Sequence, residues 1–418
     1  PEMKRDLKAR LTDLRRTGEV RTGRQFAESL QSGREDRLFP GEGREEETLF
    51  GRCYIREMLF PLNYQHGISR LSGISSCCGT GLALSARDRS LNDFNPREAL
   101  FLDIETTGLS GGTGTWAFLI GLGWLSGDTF KLRQYFLRRP AEERALLSHF
   151  TEEAKRFPAL ITFNGKLFDL PLIQTRQILA GLKHTEPLRH LDLLQCARIL
   201  WSKRLPSRSL KALEEALLGI KRFDDIPGEE IPAVYFDYLR RGNTERLRKV
   251  FHHNVLDILS MVTLLERISL LAAGELVEHP AEELALGRLC INAGRIEDGL
   301  SYLRRASADS STPQLAEEAA FELALFYKRE QQWGKASSVW QAAVDNKTAN
   351  PKFYVELAKY YEHRRGDYST ALSLTEEALV LVKACSSISI FSSELSIPAL
   401  EHRRARLRRR LAGGTRPS

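Results

Sequence analysis

Asp103 and Glu105 stand two residues apart in Phe101-Leu-Asp-Ile-Glu-Thr-Thr-Gly-Leu109. On a β-strand, residues two apart leave the same face. Phe101, Leu102 and Ile104 make the rest of this run apolar, so both acids are expected on an otherwise buried strand. Like carboxylates held away from water repel one another and lose hydration, and they persist best with a cation between them. Hard oxygen donors in that arrangement suit Mg²⁺ or Mn²⁺. Thr106-Thr107-Gly108 predicts a sharp turn after the strand, and the Thr107 and Gly108 amides there are candidate substrate contacts.

Two further acidic sites complete the set. Asp169 ends Ile161-Thr-Phe-Asn-Gly-Lys-Leu-Phe-Asp169, just past a short apolar run and at the expected start of a helix. Asn164 shares that loop and Phe168 is expected to pack beneath Asp169; both are candidate substrate contacts. An acid at a helix start also serves as an N-cap, and that alternative stays open for Asp169 and for Asp192. In His252-His253-Asn-Val-Leu-Asp257, His253 and Asp257 lie four apart and share a helix face. Four carboxylates (Asp103, Glu105, Asp169 and Asp257) thus come from three separate segments, each embedded in apolar sequence where an unpaired acid is costly. Gathered at one sheet edge they would hold two divalent ions about 3.5–4 Å apart. One ion would acidify a water, both would stabilise the transition state, and a histidine would take the proton. The chemistry is metal-assisted hydrolysis of a phosphodiester, with Mg or Mn as the ion.

Other residues have two readings each. Lys166 and Lys211 contact phosphate or are simply solvated, and Trp116 stacks on a base or belongs to the core. The run Ser110-Gly-Gly-Thr-Gly-Thr lacks the Gly-Lys-Ser/Thr ending of a P-loop, which argues against nucleotide-triphosphate binding.

The elements that must position these groups follow from periodicity. Strands are expected at residues 99–104, 116–124, 130–136, 159–163 and from 190. Helices are expected over 142–156, 170–182, 209–218, 232–240, 243–250 and 252–270. Three consecutive strands followed by alternating strand and helix indicate a mixed α/β sheet with helices on its faces. Short extended runs at 53–55 and 58–60 suggest a small β-rich lead-in after a charged N-terminal segment with one short helix. Beyond about residue 275 the strands stop, and Gly299, Ala336 and Ala371 recur at 37 and 35 residues in similar helical pairs. That period matches tetratricopeptide-like hairpins. The expected division is a basic segment and lead-in at 1–95, the α/β domain at 96–272, helical repeats at 276–385 and a basic tail at 386–418.

Composition limits the alternatives. The chain has 418 residues and a net charge of +7. Its basic residues crowd 4–24 and 403–410, runs that attract phosphate or form solvated termini. No run of about 18 apolar residues is present, which excludes a spanning helix. Six cysteines without a CxxC pair argue against a zinc site and a disulfide framework. They point to a reducing, cytoplasmic setting.

Asp103-x-Glu105-Thr-Thr-Gly, Asn164-x-x-x-Phe168-Asp169 and His252/His253…Asp257 resemble the three motifs of the DEDD superfamily of proofreading-type exonucleases. Phe101 to Thr115, Leu191-Asp192-Leu-Leu, Ser209-Leu-Lys-Ala-Leu-Glu and His253-Asn254-x-x-Asp257 are similar to the YprB-like group. The resemblance implies a ribonuclease-H-like α/β fold followed by an all-α repeat domain, and 3′–5′ exonuclease chemistry on single-stranded or frayed nucleic acid. One subgroup carries a Tyr four residues before the last Asp, where this chain has His253. Another carries a His five residues before it, where this chain has His252. Helical spacing favours His253 as the base, with His252 the alternative. A reading of a different class is a non-catalytic nucleic-acid adaptor or scaffold that recruits a protein partner through the repeats.

Overall fold

The computed structural model describes residues 43–108, 114–183, 189–384 and 395–413. The expected N-terminal helix, most of the glycine-rich turn at 110–115 and the start of the basic C-terminal segment lie outside the described residues. The chain divides into two compact units, Pro1–Val277 and Glu278–Ser418.

In the first unit, seven strands form one mixed sheet. They are β1 (Arg44–Thr48), β2 (Gly51–Pro61), β5 (Ala99–Thr106), β6 (Ala117–Ser126), β7 (Thr129–Phe136), β8 (Ala159–Thr162) and β9 (Arg189–Asp192). A separate two-stranded ribbon pairs β3 (Gln65–His66) with β4 (Ser69–Arg70). The order across the large sheet is β1-β2-β7-β6-β5-β8-β9. The pairs from β1 to β5 are antiparallel, whereas β5, β8 and β9 run parallel. Flanking helices are α1 (Gly79–Ala86), α2 (Glu143–Ala154), α3 (Asp169–Leu179), α4 (Leu193–Trp201), the short α5 (Leu210–Leu213), α6 (Ile231–Arg241) and α7 (Glu245–Ala273). Eight successive residues of β6, from Ala117 to Trp124, are buried, so both faces of the sheet are covered there. On one face Phe118 stacks on Tyr235 of α6, with ring centroids 4.1 Å apart. The Tyr235 hydroxyl donates to the Leu137 carbonyl at 2.7 Å.

Two features differ from the sequence reading. The runs at 53–55 and 58–60 are one eleven-residue strand that joins the main sheet beside β7, so the lead-in is part of the α/β unit. The two helices expected on either side of residue 251 are one continuous helix, α7. Nothing between Glu245 and Ala273 breaks it, because that span contains no Gly or Pro.

Glycines set the height of α7 over the sheet. A Cβ on Gly121 would lie 2.2 Å from Asn254 Oδ1, and one on Gly123 would lie 2.7 Å from Ile258. Any other residue at these two strand positions would push α7 away.

The second unit is all helical among its described residues. It contains α8 (Pro280–Asn292), α9 (Ile296–Ala308), α10 (Pro313–Arg329), α11 (Trp333–Asp345), α12 (Pro351–Tyr360), α13 (Tyr368–Ala384) and α14 (Ile397–Gly413). Each helix packs on the next, and α8 also meets α10. Gly299, Ala336 and Ala371 are all buried. Gly299 lies so close to α8 that a Cβ would sit 2.9 Å from the Gly287 carbonyl oxygen. The basic run at 403–410 is part of α14, where Arg403 and Arg406 bind the buried Glu362 carboxylate at 2.7–3.0 Å. Arg408 pairs with Glu376 at 2.6 Å. Much of this charge is therefore matched within the unit. No described helix is long and apolar enough to cross a membrane.

Candidate active site

Asp103 and Glu105 lie on β5, at the end where the strand leaves the sheet. Across β5, β6 and β7 the register places Asp103 beside Gly121 and Gly121 beside Gln134. Asn254 of α7 lies over this row. Its Nδ2 donates to Asp103 Oδ2 at 2.7 Å and to the Asp103 carbonyl at 3.2 Å. Gln134 Nε2 donates to Asn254 Oδ1 and to the Phe251 carbonyl, both at 2.8 Å. Glu105 is 8% exposed, and its carboxylate has no hydrogen-bond or ion-pair partner among the described residues.

The pairing of β5 and β6 shifts register at Glu105/Thr106. Beyond it, the Thr107 amide donates to the Trp116 carbonyl at 3.0 Å, and Thr107 Oγ1 accepts from the Trp116 amide at 2.9 Å. The Thr107 amide, a candidate substrate contact, is thus already engaged, because this turn closes as a continuation of the ladder. Trp116 is half-buried against the core.

Asp169 is the first residue of α3, and the N-cap position belongs to Phe168, which makes no side-chain cap bond. The loop before it is held from β9. Asp192, 2% exposed, accepts from the Asn164 amide at 2.8 Å, from the Lys166 amide at 3.2 Å and from Leu194 N at 3.1 Å. Asp192 therefore caps α4 and shapes the loop together. Asn164 takes the left-handed conformation, φ 67°, which Asn tolerates better than most residues. The loop turned this way presents residues 166–168 to solvent. Phe168 is 52% exposed and Leu167 63%, so Phe168 does not pack beneath Asp169 as expected. Leu170 meets the core instead. Lys211 is exposed.

On α7, His253 and Asp257 share one face, with His253 Nε2 3.5 Å from Asp257 Oδ2. His252 is exposed. His253 Nδ1 donates to Asp225 at 2.8 Å, which leaves Nε2 as the ring nitrogen facing Asp257. Arg222 is nearly fully buried and joins three acids. It donates to Glu214 at 2.5 and 2.7 Å, to Asp225 at 3.2 Å and to Asp257. Glu214 also accepts from Ser260 Oγ at 2.5 Å, and Ser260 lies 2.8 Å from His66 Nε2. Ser260 has one proton and gives it to Glu214, so His66 donates from Nε2.

The charges of these groups act on one another. Burial pushes Asp103 well above the usual carboxylate range, and the charges of Asp257 and Asp169 push it further. Burial does the same to Glu105, followed by Asp103, Asp257 and Asp169. Asp169 is pushed up to about 7 by burial, Asp192 and Asp257. Burial raises Asp257 despite the opposing charges of His253 and Arg222. Asp225 goes the other way. Burial opposes its ionisation, but the His253 bond and charge and the Arg222 charge bring it down to about 2. Burial works to lower His253, but the Asp225 bond and the charges of Asp257 and Asp225 hold it above the ordinary histidine value.

The four acids of the sequence reading are therefore neighbours in one electrostatic field. Among the described residues, no three Asp, Glu, His or Cys side chains are yet gathered as a ready metal cage. Asp257 is engaged by Arg222 and Asp103 by Asn254. The donor set nevertheless fits a divalent cation. It consists of hard carboxylate oxygens, and Glu105 and Asp169 have no partner for their charge among the described residues. The sequence reading missed Arg222, Asp225 and Gln134, which carry no local pattern. Gly121 and Gly123 did leave a signal, as glycines inside a strand.

Residues 100–269 match a family model described as the RNase_H superfamily. The uncharacterized protein YprB of Bacillus subtilis (strain 168) is 31% identical over 370 residues, covering 86% of this chain and 86% of its own.

Proposed function

This chain belongs to the family of Bacillus subtilis YprB, and from its ribonuclease-H-superfamily domain we propose that it is a metal-dependent 3′–5′ exonuclease acting on single-stranded or frayed nucleic acid. The observation that carries the proposal is the set of four mutually repelling acids, of which Glu105 is 8% exposed and has no partner among the described residues. Asp103, Glu105, Asp169 and Asp257 would hold two Mg²⁺ or Mn²⁺ ions. Such ions supply Lewis acidity and lower the pKa of a water. His253 would take a proton at Nε2, a role supported by the bond from Nδ1 to Asp225. The exposed Phe168 would offer a ring for base stacking, Asn164, which lines a cavity with Asp103 and Asp257, would contact the substrate, and so would the Gly108 amide. The helical unit, read as tetratricopeptide-like, would recruit a partner or extend the strand path.

A non-catalytic adaptor is the second reading. One observation favours it: Arg222 and Asn254 already satisfy Asp257 and Asp103. Labelled DNA and RNA oligonucleotides incubated with Mn²⁺ or Mg²⁺, then with EDTA, decide between the two. The exonuclease shortens them from the 3′ end with a metal and stops in EDTA, and Asp103→Ala and Glu105→Ala are inactive. Unchanged activity in those variants rules out the site. No activity of the unmodified protein on either polymer leaves the adaptor.

A further inference from the structure

One cavity of about 500 Å³ opens beside the acids, and its lining carries both signs of charge. Asp103 and Asp257 are part of its lining. So are Arg198, from the last turn of α4, and Arg208, from the segment between α4 and α5. Phe163 and Asn164 join the wall from the loop that leads to Asp169.

The two arginines differ in how they are held. Arg208 is half-buried, and its Nη1 donates to the Leu205 and Pro206 carbonyls, both at 3.0 Å. Those bonds fix the guanidinium plane at the cavity and use one of its nitrogens. Arg198 is exposed, and no acid among the described residues pairs with it. Elsewhere in this unit, arginines such as Arg133, Arg138 and Arg176 bind acids directly. Two cationic side chains without an acid partner among the described residues, at one cavity, can together receive an anionic ligand. A pocket of this size admits a nucleotide-sized ligand and excludes a base-paired helix.

We infer that Arg198 and Arg208 form a phosphate subsite, which holds the phosphate next to the one cleaved on a single strand crossing the cavity toward Asp103 and Asp257. This rests on the exonuclease reading for the direction of the strand, but not for the binding of phosphate. Guanidinium groups suit a phosphodiester because their N–H donors match its oxygens in pairs. Both arginines are positioning residues: they fix where the strand lies, and the acids act on it.

The test is binding, which is separable from cleavage. A fluorescein-labelled single strand roughly 15 nucleotides long, as DNA and as RNA, is titrated in EDTA with the full chain at several salt concentrations. Arg198→Ala and Arg208→Ala should each weaken binding about tenfold and reduce the slope of log K against log salt by about 0.7. With Mn²⁺ present, KM should rise in each variant by more than kcat falls. Arg208→Ala also frees two backbone carbonyls, so Arg198→Ala, at an exposed position, is the decisive variant. Affinity and slope unchanged in Arg198→Ala overturn the subsite, as does failure of the unmodified protein to bind either strand. Arginine-dependent binding without any cleavage upholds the subsite and removes the exonuclease.

Discussion

Asn254 Nδ2 donates to Asp103 Oδ2 at 2.7 Å across 151 residues of sequence. The bond exists because Gly121, beside Asp103 in the sheet, leaves room for the helix that carries Asn254. It ties the third acidic segment to the first.

Gly121→Ala tests that closeness. The new Cβ would meet Asn254 Oδ1 at 2.2 Å, within a packed helix–sheet contact. Overpacking of this kind costs about 1–3 kcal/mol. Urea unfolding should show that loss, and hydrolysis should fall with it as Asn254 and Asp257 are displaced. Unaltered stability would show that α7 yields easily.

Removing one acid should stabilise the metal-free protein while abolishing its chemistry. In Glu105→Gln a buried carboxyl without a partner among the described residues loses its charge, and the repulsion on Asp103 falls. The Tm in EDTA should rise by a few degrees, and the stabilisation that Mn²⁺ gives the unmodified protein should shrink. A lower Tm in EDTA would mean that Glu105 has a partner on which the fold depends.

Metal-free stability should fall as the pH rises. Asp169 takes up its proton near 7 in the folded chain but at about 3.9 when unfolded. The folded state therefore binds more protons between those values, and stability decreases with pH there. The contribution is complete below about 3.9 and is lost as pH passes about 7. Asp103, Glu105 and Asp257 are shifted in the same direction. Thermal melts from pH 5 to 8 should show the decline in EDTA (roughly the window set by these acids) and a weaker one with Mn²⁺. In Asp169→Asn the slope should flatten.

The two histidines should separate in kinetics. His253→Ala should lower kcat by about 10²–10⁴, because its Nε2 faces Asp257 and Nδ1 is fixed by Asp225. Exposed His252 has no such partners, so His252→Ala should change kcat little. Comparable losses in both variants would remove the assignment.

Arg222 holds the buried Glu214 and Asp257 together. Arg222→Ala leaves Glu214 without its cation, and breaking a buried pair from one side costs about 3–5 kcal/mol. Chemical denaturation should report a loss of that order. A loss below about 1 kcal/mol would be the size expected of an exposed pair.

Much of the α/β unit was legible from local pattern. The strands at Asp103, at 130–136 and at Ala159 declared themselves as apolar runs between turns, and the spacing of His253 and Asp257 placed them on one helical face. The helical pairs after residue 275 showed in the recurrence of small residues. Periodicity reads such features because each depends on neighbours within a few positions. The same reasoning broke α7 at residue 251 and buried Phe168, since neither outcome is local. An unbroken helix over the sheet and a loop tied to Asp192 decided them.

The sequence by itself determined which groups could do chemistry: four acids in apolar surroundings, with a histidine one turn from the last. Tertiary structure alone decided what surrounds them. Arg222 reaches Asp257 from 35 residues away, Asp225 orients His253 from 28, and Gln134 holds Asn254 from 120. A charged or amide side chain carries no mark of its distant partner. It is the low dielectric of the folded interior that makes the pairing strong, and that interior exists only once the sheet and α7 have closed.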